Sequence, residues 1–349
     1  MTVRRNRVQR RAPVNWVIGA ALLVAGGCTG FQSALDPKGP RAERVASLHW
    51  TLTAIATVVY VVVIGALMYA LWRSSRRAPV VGDHPYHETA AQADVMKRGV
   101  IIGIAATAMI LTVFLFLDVT TGSALARVGG SKPLRIDVVG HQWWWDVTYN
   151  DPIPQNQVKT ANEIHVPVGR AVLIKMRSSD VIHSFWAPNL AGKKDLIPGH
   201  ETITWFRADS AGVYRGQCAE FCGHQHAKMA FYIVAQPRRD FERWLDQQRG
   251  EALKPVDSLQ QAGERVFLSA PCAMCHTISG TGAGGNIGPD LTHLASRRTI
   301  AAGTLPLTTG NLAGWILDPQ TIKPGAKMPP TQLDPQSLRA LLAYLESLK

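Results

Sequence analysis

Cys218-Ala-Glu220-Phe-Cys222-Gly-His-Gln-His226-Ala-Lys-Met229 gathers two thiolates, an imidazole and a thioether in one short stretch, close enough for a single tight loop to converge them. Soft sulfur beside imidazole suits copper or zinc. A long axial methionine beside histidine and cysteine is a copper electron-transfer arrangement. A one-copper site of that kind lacks the second cysteine, whereas two thiolates can bridge two copper ions that each take one histidine. That second histidine must come from elsewhere, and His183, in Asp180-Val-Ile-His183-Ser-Phe-Trp186 and expected between two strands, can supply it. A structural zinc site and a disulfide between Cys218 and Cys222 are competing readings, but neither uses Met229 or Glu220.

A second constellation, Cys272-Ala-Met-Cys275-His276, has the spacing of covalent c-type haem attachment: both thiols form thioethers and the adjacent histidine binds iron. A methionine as sixth ligand gives the higher potential of a His/Met electron carrier. Met328, in Lys323-Pro-Gly-Ala-Lys-Met328-Pro-Pro, lies 52 residues after His276 in a proline-stiffened loop. Met274, inside the attachment loop, cannot easily cross the ring and is the weaker candidate. Trp315 is expected to pack the core.

These sites need elements to hold them. Short β-branched and aromatic segments from residue 134 to 234, separated by turn signals, predict an antiparallel sandwich around the first site. Residues 240–249 read as a short charged helix, 250–255 as a linker, and the rest as a small all-α unit. That unit ends on a helix with Asp334 as N-cap, Pro335 at the first turn, and Leu338, Leu341, Leu342, Leu345 and Leu348 on one stripe.

Upstream lie two charge-free runs, 51–72 and 99–117. The first, at about 1.5 Å per residue, is long enough for a bilayer core. Arg73, Arg76, Arg77, Lys97 and Arg98 border the connection between them and place it in the cytoplasm, with both later units on the outer face. Five arginines, an apolar run and Gly26-Gly27-Cys28 open the chain like a secretory signal over residues 1–27. Small residues before a lone cysteine resemble a bacterial lipobox, which makes Cys28 a candidate lipidation site.

The 349 residues therefore divide into a hairpin (45–120), a sandwich (130–236), a linker helix (237–255) and a helical unit (256–349). Net charge is +12, but it falls to +7 without the first 27 residues, and neither soluble unit is strongly one-signed. Nucleic-acid binding is not expected.

With these residues in view, 133–235 resembles the copper-binding domain of cytochrome c oxidase subunit II, whose loop motif Cys-x-Glu-x-Cys-x-x-x-His-x-x-Met is met at every position. The resemblance implies a cupredoxin-like fold and a dinuclear CuA centre. Cys218 and Cys222 would bridge the coppers, and His183 and His226 would each bind one, with His226 taken in preference to His224. Met229 would be a weak ligand, and Glu220 would bind through its carbonyl while its side chain helps hold magnesium against subunit I. Gly140-His-Gln-Trp143-Trp144-Trp145 resembles the family's aromatic segment, making Trp143 the exposed ring through which electrons enter. Trp144 is expected to face the opposite way. His141, His165 and His200 are read as strand or turn residues, and His200 stands where arginine is expected in many relatives.

The second site and Gly288-Pro289-Asp290-Leu291 resemble class I cytochromes c, with Pro289 expected beside the proximal histidine. A subunit II fused to cytochrome c resembles the caa-type haem-copper oxidases. That implies a bacterial plasma-membrane protein partnered by subunits I and III, and an electron donor that is cytochrome c or a quinol:cytochrome c reductase. Electrons would run from haem c to CuA and onward to subunit I, where oxygen is reduced and protons are pumped. Other implied readings are the electron-receiving subunit of a CuA-type nitric oxide reductase and a membrane-tethered copper and haem shuttle. A quinol-oxidising relative is expected to lack the cysteines present here. Glu88 and Asp94, near the second helix, are read as solvated acids.

Overall fold

A computed structural model describes residues 30–76, 89–127 and 132–349. Cys28, Glu88 and the signal segment lie outside the described residues. Helices α1 (Pro40–Ser75) and α2 (Ala90–Ala126) enclose the two charge-free runs. Pro40 occupies the first turn of α1, and Thr89 caps α2 in a reciprocal box with Gln92. Their apolar faces are exposed, which suits lipid as solvent.

Each helix runs beyond the charge-free part. The surplus at the start of α1 and the end of α2 is gripped by the sandwich. Arg41 Nη1 donates to Thr204 Oγ1 (2.8 Å) and the Trp205 carbonyl (2.6 Å), while Trp205 Nε1 donates to the Leu125 carbonyl at 3.0 Å. The Arg41 guanidinium also lies 5.5 Å from the centroid of the Trp205 ring. One tryptophan thus ties both helix ends to the domain they carry.

The sandwich has strands β1 (Leu134–His141), β2 (Trp144–Tyr149), β3 (Val158–Ala161), β4 (Glu163–Pro167), β5 (Val172–Ser178), β6 (His183–Trp186), β7 (Lys194–Leu196), β8 (Thr202–Phe206), β9 (Gly212–Cys218) and β10 (Ala230–Gln236). They form two five-stranded sheets in the orders β3-β2-β1-β5-β8 and β4-β10-β9-β6-β7. Most pairs are antiparallel as expected, but β1 runs parallel to β5 and β4 to β10, because those partners are joined by crossovers rather than hairpins. Alternation puts Ile136, Val138, Trp145, Val147, Ile174 and Met176 inside. Each such side chain contributes about 1.5–3 kcal/mol of burial.

Helix α3 (Arg238–Gln248) closes the sandwich, with Trp244 stacked on His165 at 4.1 Å. The C-terminal unit contains α4 (Ser258–Ser269), α5 (Cys272–Cys275), α6 (Thr309–Leu317), α7 (Pro319–Ile322) and α8 (Pro335–Leu345). Asp334 caps α8 through the amides of Gln336 and Ser337, and Leu341, Leu342, Leu345 and Leu348 are buried as the stripe predicts. A two-residue ribbon, β11 (Thr299–Ile300) with β12 (Leu305–Pro306), departs from the all-α expectation. The segment is too short to show a period in sequence.

Candidate metal centre and haem-attachment site

The loop from β9 to β10 carries most of the donors. Cys218 ends β9, Cys222 follows in the turn, and a short 3-10 turn from His226 to Lys228 delivers Met229 to the start of β10. The two sulfurs lie 3.7 Å apart, both buried as free thiols. His226 Nδ1 is 3.6 Å from Cys222 Sγ, and the Met229 sulfur is 3.8 Å from the same thiol. The Glu220 carbonyl turns inward, 3.2 Å from Cys218 Sγ, while its carboxylate lies at the surface 3.4 Å from Lys193 Nζ. His224 is exposed.

His183 opens β6 rather than lying between strands. The register Phe185↔Cys218 holds β6 beside β9 and brings His183 Nδ1 to 3.9 Å from Cys218 Sγ. Its Nε2 faces Asp180 Oδ1 at 2.8 Å, so the carboxylate accepts the Nε2 proton and Nδ1 is left free toward the sulfurs. A Cβ on Gly140 would sit 2.9 Å from the His183 ring, so β1 can admit the imidazole only with glycine there.

Electrostatics reinforce the cluster. The Cys222 thiol beside it, with smaller help from His183, holds the Cys218 thiol down at about 4, against the opposing effect of burial. Cys222 is pushed up by the same neighbour and by burial. For His183, burial works against the charged form, but Cys218 and Asp180 outweigh it and raise the imidazole. The donor atoms of His183, Cys218 and Cys222 all lie within 4.8 Å of one another. Two sulfurs with an imidazole at each end, a thioether and a carbonyl form a donor set that fits a copper pair.

Trp143 lies in the turn before β2, and its Nε1 donates to the Cys222 carbonyl at 2.8 Å. Its ring is only 9% exposed, against the expectation of an open ring, because the loop at Gly325 lies over its outer edge. Trp145 points into the core, while Trp144 faces the other way and stacks on His141 at 4.5 Å. His165 is buried between Glu163 and Gln236, and His200 is an exposed turn residue.

In the C-terminal unit, helix α5 is a single turn that presents Cys272 and Cys275 as free thiols. His276 Nδ1 donates to the Pro289 carbonyl at 2.7 Å, which fixes the ring and frees Nε2 for a metal. A Cβ on Gly288 would lie 2.6 Å from the His276 ring, so the ring's seat needs glycine. Arg297, half-buried overall, donates to the Asp290 carbonyl, but its buried Nε has no partner among the described residues. An unpaired buried guanidinium nitrogen beside the attachment turn fits a pocket completed by an anionic group, as haem would bring with its carboxylates. Met328 is half-buried at the end of a loop held by Gln320, whose amide donates to the carbonyls of Ala326 and Met328. Met274 is 74% exposed. Trp315 packs against the unit's core.

Sequence reasoning missed Asp180, Lys323 and Arg297. Asp180 stood three residues before His183 and could have been noticed as its partner. The other two carried no local signal, since charged residues in loops are ordinarily solvated.

Comparison with known proteins adds to this geometry. The family model "Cytochrome C oxidase subunit II, periplasmic domain" matches residues 152–236, and "Cytochrome c" matches 260–349. The chain is 34% identical to cytochrome c oxidase subunit 2 of Alkalihalophilus pseudofirmus over 93% of both chains. It is 32% identical to that of Bacillus sp. strain PS3 over 94% of this chain and 95% of the relative. A crystal structure of the periplasmic domain of subunit II of cytochrome oxidase from Bradyrhizobium japonicum is 29% identical, covering 36% of this chain and 96% of that one, with a TM-score of 0.32.

Proposed function

From the premise that this chain belongs to the cytochrome c oxidase subunit 2 family and carries a cytochrome c domain, we propose that it passes electrons from haem c to a dinuclear copper centre and on to subunit I. The observation that carries this reading is the 3.7 Å separation of Cys218 and Cys222, with His183 and His226 each facing a different one of the two sulfurs. Bound there, the copper pair supplies a one-electron relay, and covalent haem supplies a second.

The chain's own residues hold and orient these groups. Cys218 and Cys222 would hold both coppers, His183 and His226 would each bind one, and Met229 and the Glu220 carbonyl would add weaker ligands. Asp180 holds the proton on His183 Nε2, so that in the neutral imidazole Nδ1 would offer its lone pair to copper. Burial of the cysteines keeps water from the site, so a centre held there would change charge with little solvent rearrangement. Cys272 and Cys275 would anchor haem, His276 would offer Nε2 to its iron, and Met328 would supply a thioether that raises the potential.

In this reading Trp143 lies on the route into copper, and the near donor is the haem of the same chain. Joining the two units in one chain raises their effective concentration, so transfer between them does not wait on bulk diffusion. The α1–α2 hairpin spans a bacterial plasma membrane with both metal units on the outer face, and Cys28, if the leader is cleaved there, adds a lipid anchor. Subunits I and III are the membrane partners. The external donor is cytochrome c or a quinol:cytochrome c reductase, and the Glu220 carboxylate is offered to magnesium against subunit I.

The test is electron paramagnetic resonance with visible absorption on protein matured with copper and haem. A multi-line copper signal from one electron shared over two nuclei, with a sharp reduced c-haem band, is expected. Zinc in place of copper by elemental analysis would overturn the reading.

A further inference from the structure

Lys323 begins the loop that leads to Met328, yet it is only 3% exposed. Its Nζ crosses to the sandwich and donates to the Trp143 carbonyl at 2.7 Å, and also to the Ala301 carbonyl at 3.2 Å. An amine is retained in such a place only where other polar atoms replace its water. Here backbone carbonyls do so, one from each unit.

The copper loop grips the same segment from the other side. Gln225 Nε2 donates to the Pro324 carbonyl at 2.6 Å, and Lys228 Nζ donates to the Ile322 carbonyl. The amide of Ala230 donates to the Ala302 carbonyl at 3.0 Å. Away from this contact, the Arg298 amide donates to Glu163 Oε2 at 3.0 Å, and Lys327 Nζ lies 3.6 Å from Asp180 Oδ2. The bonds from Lys323 to Trp143, from Gln225 to Pro324 and from Arg298 to Glu163 are buried or partly buried polar contacts between the two units, which a tether alone does not produce. Trp143 is bonded in both directions, its carbonyl to Lys323 and its indole to Cys222, so two hydrogen bonds and one residue connect the two metal loops.

We propose that Lys323 is the positioning residue that locks the cytochrome c unit over the copper loop, keeping Trp143 between the two centres and closed to any soluble donor. The inference rests on the reading that electrons pass from haem c to copper. One electron leaves ferrous haem, which becomes ferric, and the oxidised copper pair takes it up, with no bond made or broken.

The first test needs no variant. In the purified, metal-loaded oxidase treated briefly with an amine-acylating reagent, mass spectrometry should find Lys323 modified at least tenfold more slowly than Lys254, which is exposed in the linker. Equal rates would overturn the lock. The second test uses Lys323→Met, which keeps the aliphatic stem and removes the donor. Deuterium exchange of the amides in 322–328 and 223–228 should then rise at least tenfold. Haem-to-copper transfer should slow at least tenfold and become salt-dependent, with the haem band and copper signal unchanged. Unchanged exchange and an unchanged, salt-independent rate would overturn the proposal. A missing copper signal in the unaltered protein would instead sink the functional reading, and the acylation result would still decide the lock.

Discussion

Trp143 donates its indole Nε1 proton to the carbonyl oxygen of Cys222 at 2.8 Å, across 79 residues of sequence. The same carbonyl accepts from Gln142 Nε2 at 2.9 Å, so the turn carrying the second thiol is fastened to the turn before β2 by two adjacent side chains. The metal loop is therefore held by contacts outside itself, and several consequences can be measured.

Trp143→Phe keeps an aromatic ring but loses the indole proton. Because Gln142 still satisfies the Cys222 carbonyl, the stability cost should be only about 1 kcal/mol. Electron transfer from haem to copper should fall at least tenfold while the copper signal stays intact. Time-resolved absorption after flash reduction of haem, with resonance spectra on the same sample, checks both.

Asp180→Asn should weaken copper binding by about 10–100-fold, because the carboxylate that orients His183 is replaced by a neutral amide. Competition against a graded copper chelator reads this directly. A variant that binds as tightly as the unaltered protein would show that strand register alone positions His183.

Met328→Ala should leave haem attached, since attachment depends on Cys272 and Cys275, and should lower its reduction potential by removing the thioether ligand. Met274→Ala, at an exposed position, should leave the potential unchanged. Spectroelectrochemical titration of the two variants side by side separates the candidates.

Burial pushes the Lys323 amine down from 10.5 to about 7 in the docked arrangement, with Lys228 adding to the depression and Cys222 opposing it. A separated, solvated lysine keeps its ordinary value. Between about pH 7 and pH 10.5 the separated state therefore binds more protons than the docked one, so docking strengthens as pH rises through this window. Below about pH 7 the amine is charged in both states and the penalty for burying it is felt in full. Deuterium exchange of the 322–328 amides, corrected for the intrinsic pH dependence of exchange, should show protection rising from pH 7 to pH 9.

The sequence by itself determined whatever one short stretch of chain could hold. Cys218, Cys222, His226 and Met229 are legible because a single loop carries them, and Cys272, Cys275 and His276 because one helical turn does. The two membrane-length helices are legible because lipid admits only long charge-free runs. The leucine stripe of α8 is legible because its period repeats over three turns.

Only the tertiary structure decided which distant residues meet. His183 reaches Cys218 through the register of β6 on β9, and strand register across a sandwich depends on the packing of both faces rather than on local spacing. The covered state of Trp143 and the burial of Lys323 arise from two units closing on each other, and a contact surface of that kind leaves no period in either segment. The chemistry of each metal loop is thus written locally, while the distance and the path between the loops come from long-range packing, where every partner lies tens to hundreds of residues away.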